Sequence, residues 1–201
     1  MLTLRKVAVT GGLSSGKTSV CHIFKELGAY TVSADEIVHQ LLSPKTKLGQ
    51  EIIHLLGQEI HRDGDLDRSV IARIVFSDEK KLLALERLLH PAVIEEIEKR
   101  YRQVQKEAKY SLFVAEVPLL YESENEYLFD HVVAVDADPK LCQKRFQAPS
   151  KKYPKDEFEK RMSRQWDPKE KAAKADFIIT NNGSMSELKQ IVKNLYDQLK
   201  E

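Results

Sequence analysis

Short, nearly unbroken apolar runs alternate along this chain with longer stretches in which apolar positions recur every three or four residues. The runs at 6–10 (KVAVT), 30–34 (YTVSA), 111–117 (SLFVAEV), 131–136 (HVVAVD) and 177–180 (FIIT) predict five strands. They are apolar throughout rather than alternating, which is the pattern of strands covered on both faces. Strands alternating with helical stretches predict an α/β fold around a parallel sheet. Between the first two strands, 17–27 places Val20, Phe24 and Leu27 on one helical stripe, and Gly28 supplies a stop.

The stretch 36–109 is too long for a simple crossover and reads as a helical insertion, with helices at 38–42, 48–56, 68–76, 79–89 and 92–108. Pro91 is expected to start or kink the last of these, because proline suits a first helical turn and not an interior. The charged end EEIEKRYRQVQKEAK reads as a solvated helix face. A second insertion, 144–174, holds eleven Lys/Arg and five Asp/Glu, an excess of six and the one marked charge asymmetry in the chain. It reads either as a basic exposed helical hairpin or as a lid over phosphates. The core is then 1–35, 110–143 and 175–201, with both insertions belonging to one domain.

Composition narrows the classes. A chain of 201 residues is sized for one good core. Its net charge of +1 gives no chain-wide attraction to nucleic acid or an anionic membrane, so neither is an expected partner. No apolar run approaches the roughly 20 residues that span a bilayer. The opening MLTLRKVAVTGG leads straight into a strand and a glycine pair, without a secretory hydrophobic stretch. Cys21 and Cys142 have no metal or redox spacing, so a reducing cytoplasm is expected.

The chemistry starts at Gly11-Gly12-Leu13-Ser14-Ser15-Gly16-Lys17-Thr18, followed by Ser19, which matches the phosphate-binding pattern G-x-x-x-x-G-K-[ST] without a mismatch. A strand precedes it and an amphipathic helix follows. Glycine permits the conformations that turn successive N–H groups inward, and the helix N-terminus adds its own unpaired donors. Lys17 is expected on the β- and γ-phosphates of ATP, and the Thr18 hydroxyl on Mg²⁺. There is no guanine-reading N-K-x-D segment; after the last strand the chain reads Thr180-Asn181-Asn182-Gly183. A small P-loop phosphotransferase remains.

Other residues select the acceptor. Asp35 ends the second strand and is placed for proton transfer from an attacking hydroxyl, or else it is an N-cap for the following helix. Glu116 lies near the end of the third strand, where P-loop enzymes keep an acidic residue linked to Mg²⁺. Arg145, after the fourth strand, is a candidate for bridging phosphates as charge develops, or is a surface arginine. Lys151, Lys152, Arg161 and Arg164 are weaker candidates of the same kind. Trp166, the tyrosines and Cys21 read as packing groups, and five histidines (His22, His39, His54, His61, His131) show no metal-ligand spacing.

Together these features resemble the dephospho-CoA kinase family. The resemblance rests on TGGLSSGKTSV, SADEIVHQ, DGDLDRSVIARIVFSD, LLHPAVIEEI, VPLLYE, VVAVDADPKLCQKR and KADFIITNNGS, seven segments in order over nearly the whole chain. It implies a P-loop kinase fold with a CoA-binding helical insertion and a lid, and transfer of phosphate from ATP-Mg²⁺ to the 3′-hydroxyl of dephospho-CoA. By the same resemblance, Asp35 takes the base role, Lys17 and Arg145 stabilise the phosphates, and Asn181 lies near the adenine. Arg68, His90, Pro118 and Leu119 fall in segments lining the acceptor side. The chain departs from the family at Ser33, in place of the first aspartate of D-A-D, and at Glu116, where aspartate is commoner. It departs again at Pro149 and Ser150, where relatives carry a second Arg-Asp pair that Lys151 or Lys152 replaces only as charge. Residues alone leave two rival readings: a kinase for a nucleoside, nucleotide or other small alcohol, and a nucleotide-dependent binding module.

Overall fold

A computed structural model describes residues 4–62, 64–148 and 157–201 of the chain. In chain order the elements are β1 (Arg5–Gly11), α1 (Lys17–Glu26), β2 (Tyr30–Ser33), α2 (Ala34–Leu41), α3 (Lys47–Leu56), β3 (His61–Arg62), β4 (Asp65–Leu66), α4 (Arg68–Ser77), α5 (Glu79–Glu107), β5 (Leu112–Glu116), β6 (His131–Asp136), α6 (Pro139–Phe146), α7 (Glu157–Met162), α8 (Pro168–Lys174), β7 (Phe177–Thr180) and α9 (Met185–Lys200). The chain divides into two compact units. One runs to Ser33 and resumes at Tyr101, and the other is Ala34–Arg100.

The first unit is built on a five-stranded sheet in the order β2-β5-β1-β6-β7, every pairing parallel. This is the expected α/β architecture. Val7 and Val9 of β1, Val114 of β5 and Val133 and Val135 of β6 form one core with Val20, Ile23 and Phe24 of α1 and Leu188, Val192, Leu195 and Leu199 of α9. The α9 positions recur at helical spacing, which is why that helix lies down on the sheet. Ser184 starts it with a capping box, its hydroxyl accepting from Glu187 N–H while the Glu187 side chain accepts from the Ser184 backbone. β1 is central, so its carboxyl end has a strand on either side, Glu116 opposite Val9 and Val135 opposite Gly11. Ligands of open parallel sheets bind at that end.

The second unit packs Leu42, Ile52, Ile53, Leu56, Ile60, Leu66, Val70, Ile71, Val75 and Leu85 into its own core. Three features differ from expectation. α2 begins at Ala34, so Asp35 is its second residue and does not occupy the N-cap position. β3 and β4 pair as a short antiparallel ribbon, His61 opposite Leu66 and Arg62 opposite Asp65. The two helices expected on either side of Pro91 are one continuous 29-residue helix. A proline there removes one backbone hydrogen bond, at about 3 kcal/mol. Buried Leu85 before it and buried Val93 and Ile97 after it oppose that cost.

Candidate active site

From the last residue of β1 to the residue before α1, three positions have positive φ: Gly11 at 138°, Ser14 at 58° and Gly16 at 104°. At Gly11 a Cβ would lie 2.2 Å from the Val135 carbonyl oxygen, and at Gly16 it would lie 2.2 Å from Asn181 Nδ2. Both positions thus require glycine for space as well as for conformation. Gly16 is the N-cap of α1 without a capping side chain, and no acidic residue lies in the first turn. The first N–H groups of the helix are therefore left for an anion. Leu13 packs against Ala137, Cys142, Phe146 and Phe158, which ties the crest of the loop to α6 and α7.

The Lys17 ammonium is buried and donates to Gly11 O at 3.2 Å and Gly12 O at 2.7 Å, so its charge already lies within the loop. Thr18, in the first turn of α1, donates its hydroxyl to Glu116 Oε1 at 2.8 Å. Glu116 is itself buried at the end of β5. The longer glutamate side chain spans the gap to the threonine, so two oxygens of the kind Mg²⁺ prefers stand together beside the phosphate loop. This donor set fits a Mg²⁺ that takes most of its remaining ligands from phosphate and water. No cluster of three or more His, Cys, Asp or Glu suited to an all-protein metal site occurs among the described residues. The Glu116 carboxylate also pushes the Cys21 thiol upward, adding to the larger effect of that thiol's burial, while Lys17 opposes the shift. Cys21 is therefore held as a neutral thiol.

Asn181 and Arg145 support the loop from below. Asn181 Nδ2 donates to Ser15 O at 2.7 Å, Arg145 Nη1 donates to the same carbonyl at 3.3 Å, and Arg145 Nη2 donates to Asn181 O at 3.0 Å. Arg145 lies in the last turn of α6, so the basic insertion begins inside a helix of the core. Arg161 is engaged with Glu157 at 2.8 Å. Lys151, Lys152, Pro149 and Ser150 lie outside the described residues.

The turn after β5 carries Pro118 and Leu119. The Pro118 carbonyl accepts from Thr10 Oγ1 at 3.3 Å and from Lys171 Nζ at 2.8 Å. Lys171, counted among the basic residues of the second insertion, is fully buried and pairs with Glu122 at 2.7 Å. Trp166 stacks on Tyr121, with ring centroids 5.8 Å apart and planes 18° from parallel. Sequence reasoning missed Lys171, and placed Glu122 only within the segment 118–122 of the acceptor side, without its buried partner. The signal available was Asp167-Pro168, the N-cap and first residue of a helix that carries Lys171 inward.

The remaining candidates belong to the second unit. Asp35 is exposed in the first turn of α2. Arg68 opens α4 behind the Asp67 cap, which accepts from Ser69 N and Val70 N at 2.9 and 3.2 Å. The Arg68 guanidinium contacts the His39 ring. His90 is half-buried within α5, next to Pro91.

Comparison with known proteins adds the substrate class. The family model for dephospho-CoA kinase matches residues 5–187. A dephospho-CoA kinase of Protochlamydia amoebophila is 50% identical over 201 residues, which is 100% of this chain and 98% of its own. A crystal structure from Thermus thermophilus superposes with a TM-score of 0.81 at 27% identity and covers 98% of both chains. Dephospho-CoA kinase from Campylobacter jejuni superposes at 0.66 with 26% identity over 97% of both. With a P-loop at the carboxyl end of its central strand and a match over nearly its full length, the chain belongs to the dephospho-CoA kinase family, the ATP-using phosphotransferases of the final step of coenzyme A synthesis.

Proposed function

We propose a division of labour among residues for this reaction. Lys17, the N–H groups of 11–19 and the Arg145 guanidinium hold the phosphates of ATP; Thr18 and Glu116 hold Mg²⁺; Asp35 serves the acceptor hydroxyl. Arg68, His90, Pro118 and Leu119 line the dephospho-CoA side. The observation that carries the reading is the convergence of the buried Lys17 ammonium and the Thr18–Glu116 pair at one phosphate loop. Mg²⁺, when bound, neutralises charge on the β- and γ-phosphates.

The transfer is an in-line displacement. The 3′-oxygen of the acceptor bonds to the γ-phosphorus as the bond to the bridging oxygen breaks, and that electron pair leaves with ADP. The hydroxyl proton passes to the Asp35 carboxylate. Lys17 and Arg145 meet the charge that spreads over the phosphoryl oxygens, with donors already placed by the fold. The Asn181 side chain, assigned above to the adenine surroundings, is turned onto the Ser15 carbonyl, which supports a role in shaping the loop.

For ligands we take ATP and dephospho-CoA, and neither nucleic acid nor membrane as a partner. No helix among the described residues is long and apolar enough to cross a bilayer. Two buried, unpaired cysteines suit a reducing cytoplasm.

The test is ADP release with ATP-Mg²⁺ and dephospho-CoA, with the product weighed. Lys17→Ala and Asp35→Asn are each expected to lower turnover by about 10²–10⁴-fold with the fold intact. Near-normal turnover by folded Asp35→Asn removes the base role.

A further inference from the structure

We infer that Lys171 is a positioning residue for the acceptor: its ammonium clasps both ends of the 118–122 turn and so fixes the Leu119 region between them. The inference rests on the reading above that Pro118 and Leu119 line the acceptor side.

Lys171 has 0% exposure, whereas the other described lysines of its segment, Lys144, Lys160, Lys169 and Lys174, are exposed. A buried ammonium loses several kcal/mol of hydration unless oxygens replace the water. The oxygens here come from one short piece of chain. Nζ lies 2.8 Å from the Pro118 carbonyl and 2.7 Å from Glu122 Oε1. The two acceptors flank the turn, so a single cation sets the distance between its ends.

Each participant is held in turn by a second contact. The Pro118 carbonyl also accepts from Thr10 Oγ1, two residues before Gly12 of the phosphate loop. Glu122 Oε1 also accepts from Trp166 N at 2.9 Å, and its Oε2 has no hydrogen-bond partner among the described residues. The carboxylate is therefore oriented through one oxygen alone. Lys171 itself sits on α8, whose first turn is set by Asp167 accepting from Lys169 N at 2.8 Å. Pro168 of that turn packs on Gly12, where a Cβ would come within 2.9 Å of its ring. The helix that presents the ammonium thus rests on the phosphate loop, and the ammonium rests on the turn after β5.

Stability alone does not call for a cation here. Replacing a buried ion pair by well-packed apolar groups is often neutral or stabilising. What an apolar pair lacks is directional donors aimed at a backbone carbonyl and a carboxylate four residues apart. Misplacing a substrate-contacting segment by 1 Å lowers the rate by up to about a hundredfold.

The test compares Lys171→Met, the paired variant Lys171→Met/Glu122→Leu, and Leu119→Ala with wild type. It measures kcat, the KM for dephospho-CoA, the KM for ATP and thermal unfolding. Lys171→Met leaves a largely covered carboxylate uncompensated and is expected to melt early. The paired variant removes that charge and is expected to regain the melting temperature. Both are expected to raise the KM for dephospho-CoA at least about fivefold with the KM for ATP within twofold. A well-folded paired variant with wild-type KM values overturns the inference, as does an equal rise in both. Leu119→Ala separates the two levels. If it raises the acceptor KM while the lysine variants do not, the positioning role fails. If it leaves the acceptor KM unchanged, the assignment of the turn to the acceptor fails, and the inference with it.

Discussion

At Gly16 the loop's backbone conformation and the side chain beneath it impose two separable requirements. The residue has φ of 104°, and a Cβ there would stand 2.2 Å from Asn181 Nδ2. Gly16→Ala incurs a conformational cost of about 1–2 kcal/mol for a side chain at left-handed φ. It also forces the Asn181 carboxamide back by roughly 1.2 Å to reach an ordinary 3.4 Å contact. That retreat breaks the 2.7 Å bond from Nδ2 to Ser15 O. The Ser15 carbonyl keeps Arg145 Nη1 at 3.3 Å, so the unpaired partner is the buried amide, at about 1–3 kcal/mol. The single variant therefore loses about 2–5 kcal/mol, the sum of those two costs.

Asn181→Ala removes the same hydrogen bond together with its donor, and loses about 1 kcal/mol plus the effect of a small void. In the double variant the new methyl group meets no carboxamide, and only the conformational cost of residue 16 is added. The two substitutions should couple favourably by about 1–3 kcal/mol. Urea unfolding of the four proteins, extrapolated linearly to water, measures the coupling. Additivity within about 0.5 kcal/mol would refute the steric half of the argument.

Three more expectations follow from single contacts. Glu116→Gln keeps an oxygen for the Thr18 hydroxyl but loses the charge, so the Mg²⁺ concentration for half-maximal ADP release should rise about tenfold or more; an unchanged requirement separates Glu116 from the metal. Burial lowers the Lys6 ammonium to about 8 from its ordinary 10.5, with Asp130 opposing the shift and Arg102 adding to it. Between those two values the unfolded chain holds the proton and the folded chain does not, so stability contributed at this site rises with pH. Wild type should therefore gain on Lys6→Met between pH 7.5 and 9.5 in urea unfolding, and parallel pH profiles would contradict this. Tyr121 keeps a buried hydroxyl with no hydrogen-bond partner among the described residues, and burial raises its pKa to about 12, Glu126 and Asp176 adding to the shift. Tyr121→Phe keeps the ring on Trp166 and should leave stability unchanged or raise it by up to about 1 kcal/mol; a loss of 2 kcal/mol by thermal or urea unfolding would reveal a partner for that hydroxyl.

Local signals carried most of the sheet and the whole phosphate loop. The strands at 131–136 and 177–180 were legible to the residue because apolar β-branched runs with polar ends leave little freedom in their bounds. The loop was legible because its glycines answer to backbone geometry and close approach, which are written in residue type. The helix through Pro91 was not, since its continuity depends on apolar burial of Val93 and Ile97 that outweighs a local propensity. The start of α2 at Ala34 was missed for a related reason. Asp35 and Glu36 suit a first turn as well as a cap, and composition does not separate the two. Lys171 was illegible because a buried and a solvated lysine are the same letter, and its partners lie 49 to 53 positions away.

If Lys17 and Arg145 hold the phosphates as proposed, the contacts they make in the loop set the energetics of polyphosphate binding. Lys17 donates to two loop carbonyls, Arg145 to the carbonyls of Ser15 and Asn181, and Thr18 to Glu116. For Lys17 and Arg145, binding phosphate would therefore be an exchange of acceptors, a charged oxygen in place of a neutral carbonyl. Hydrogen bonds to an ionised acceptor are roughly twice as strong as neutral ones, so the gain is the difference between the two and not the whole of the new bond. A smaller gain suits turnover, because ADP must leave the same donors after each transfer. It also keeps those donors in place. An ammonium placed beforehand by the Gly11 and Gly12 carbonyls and a guanidinium placed by the Ser15 and Asn181 carbonyls would have little distance to travel to the phosphate oxygens, and donors set in advance lower the barrier to transfer.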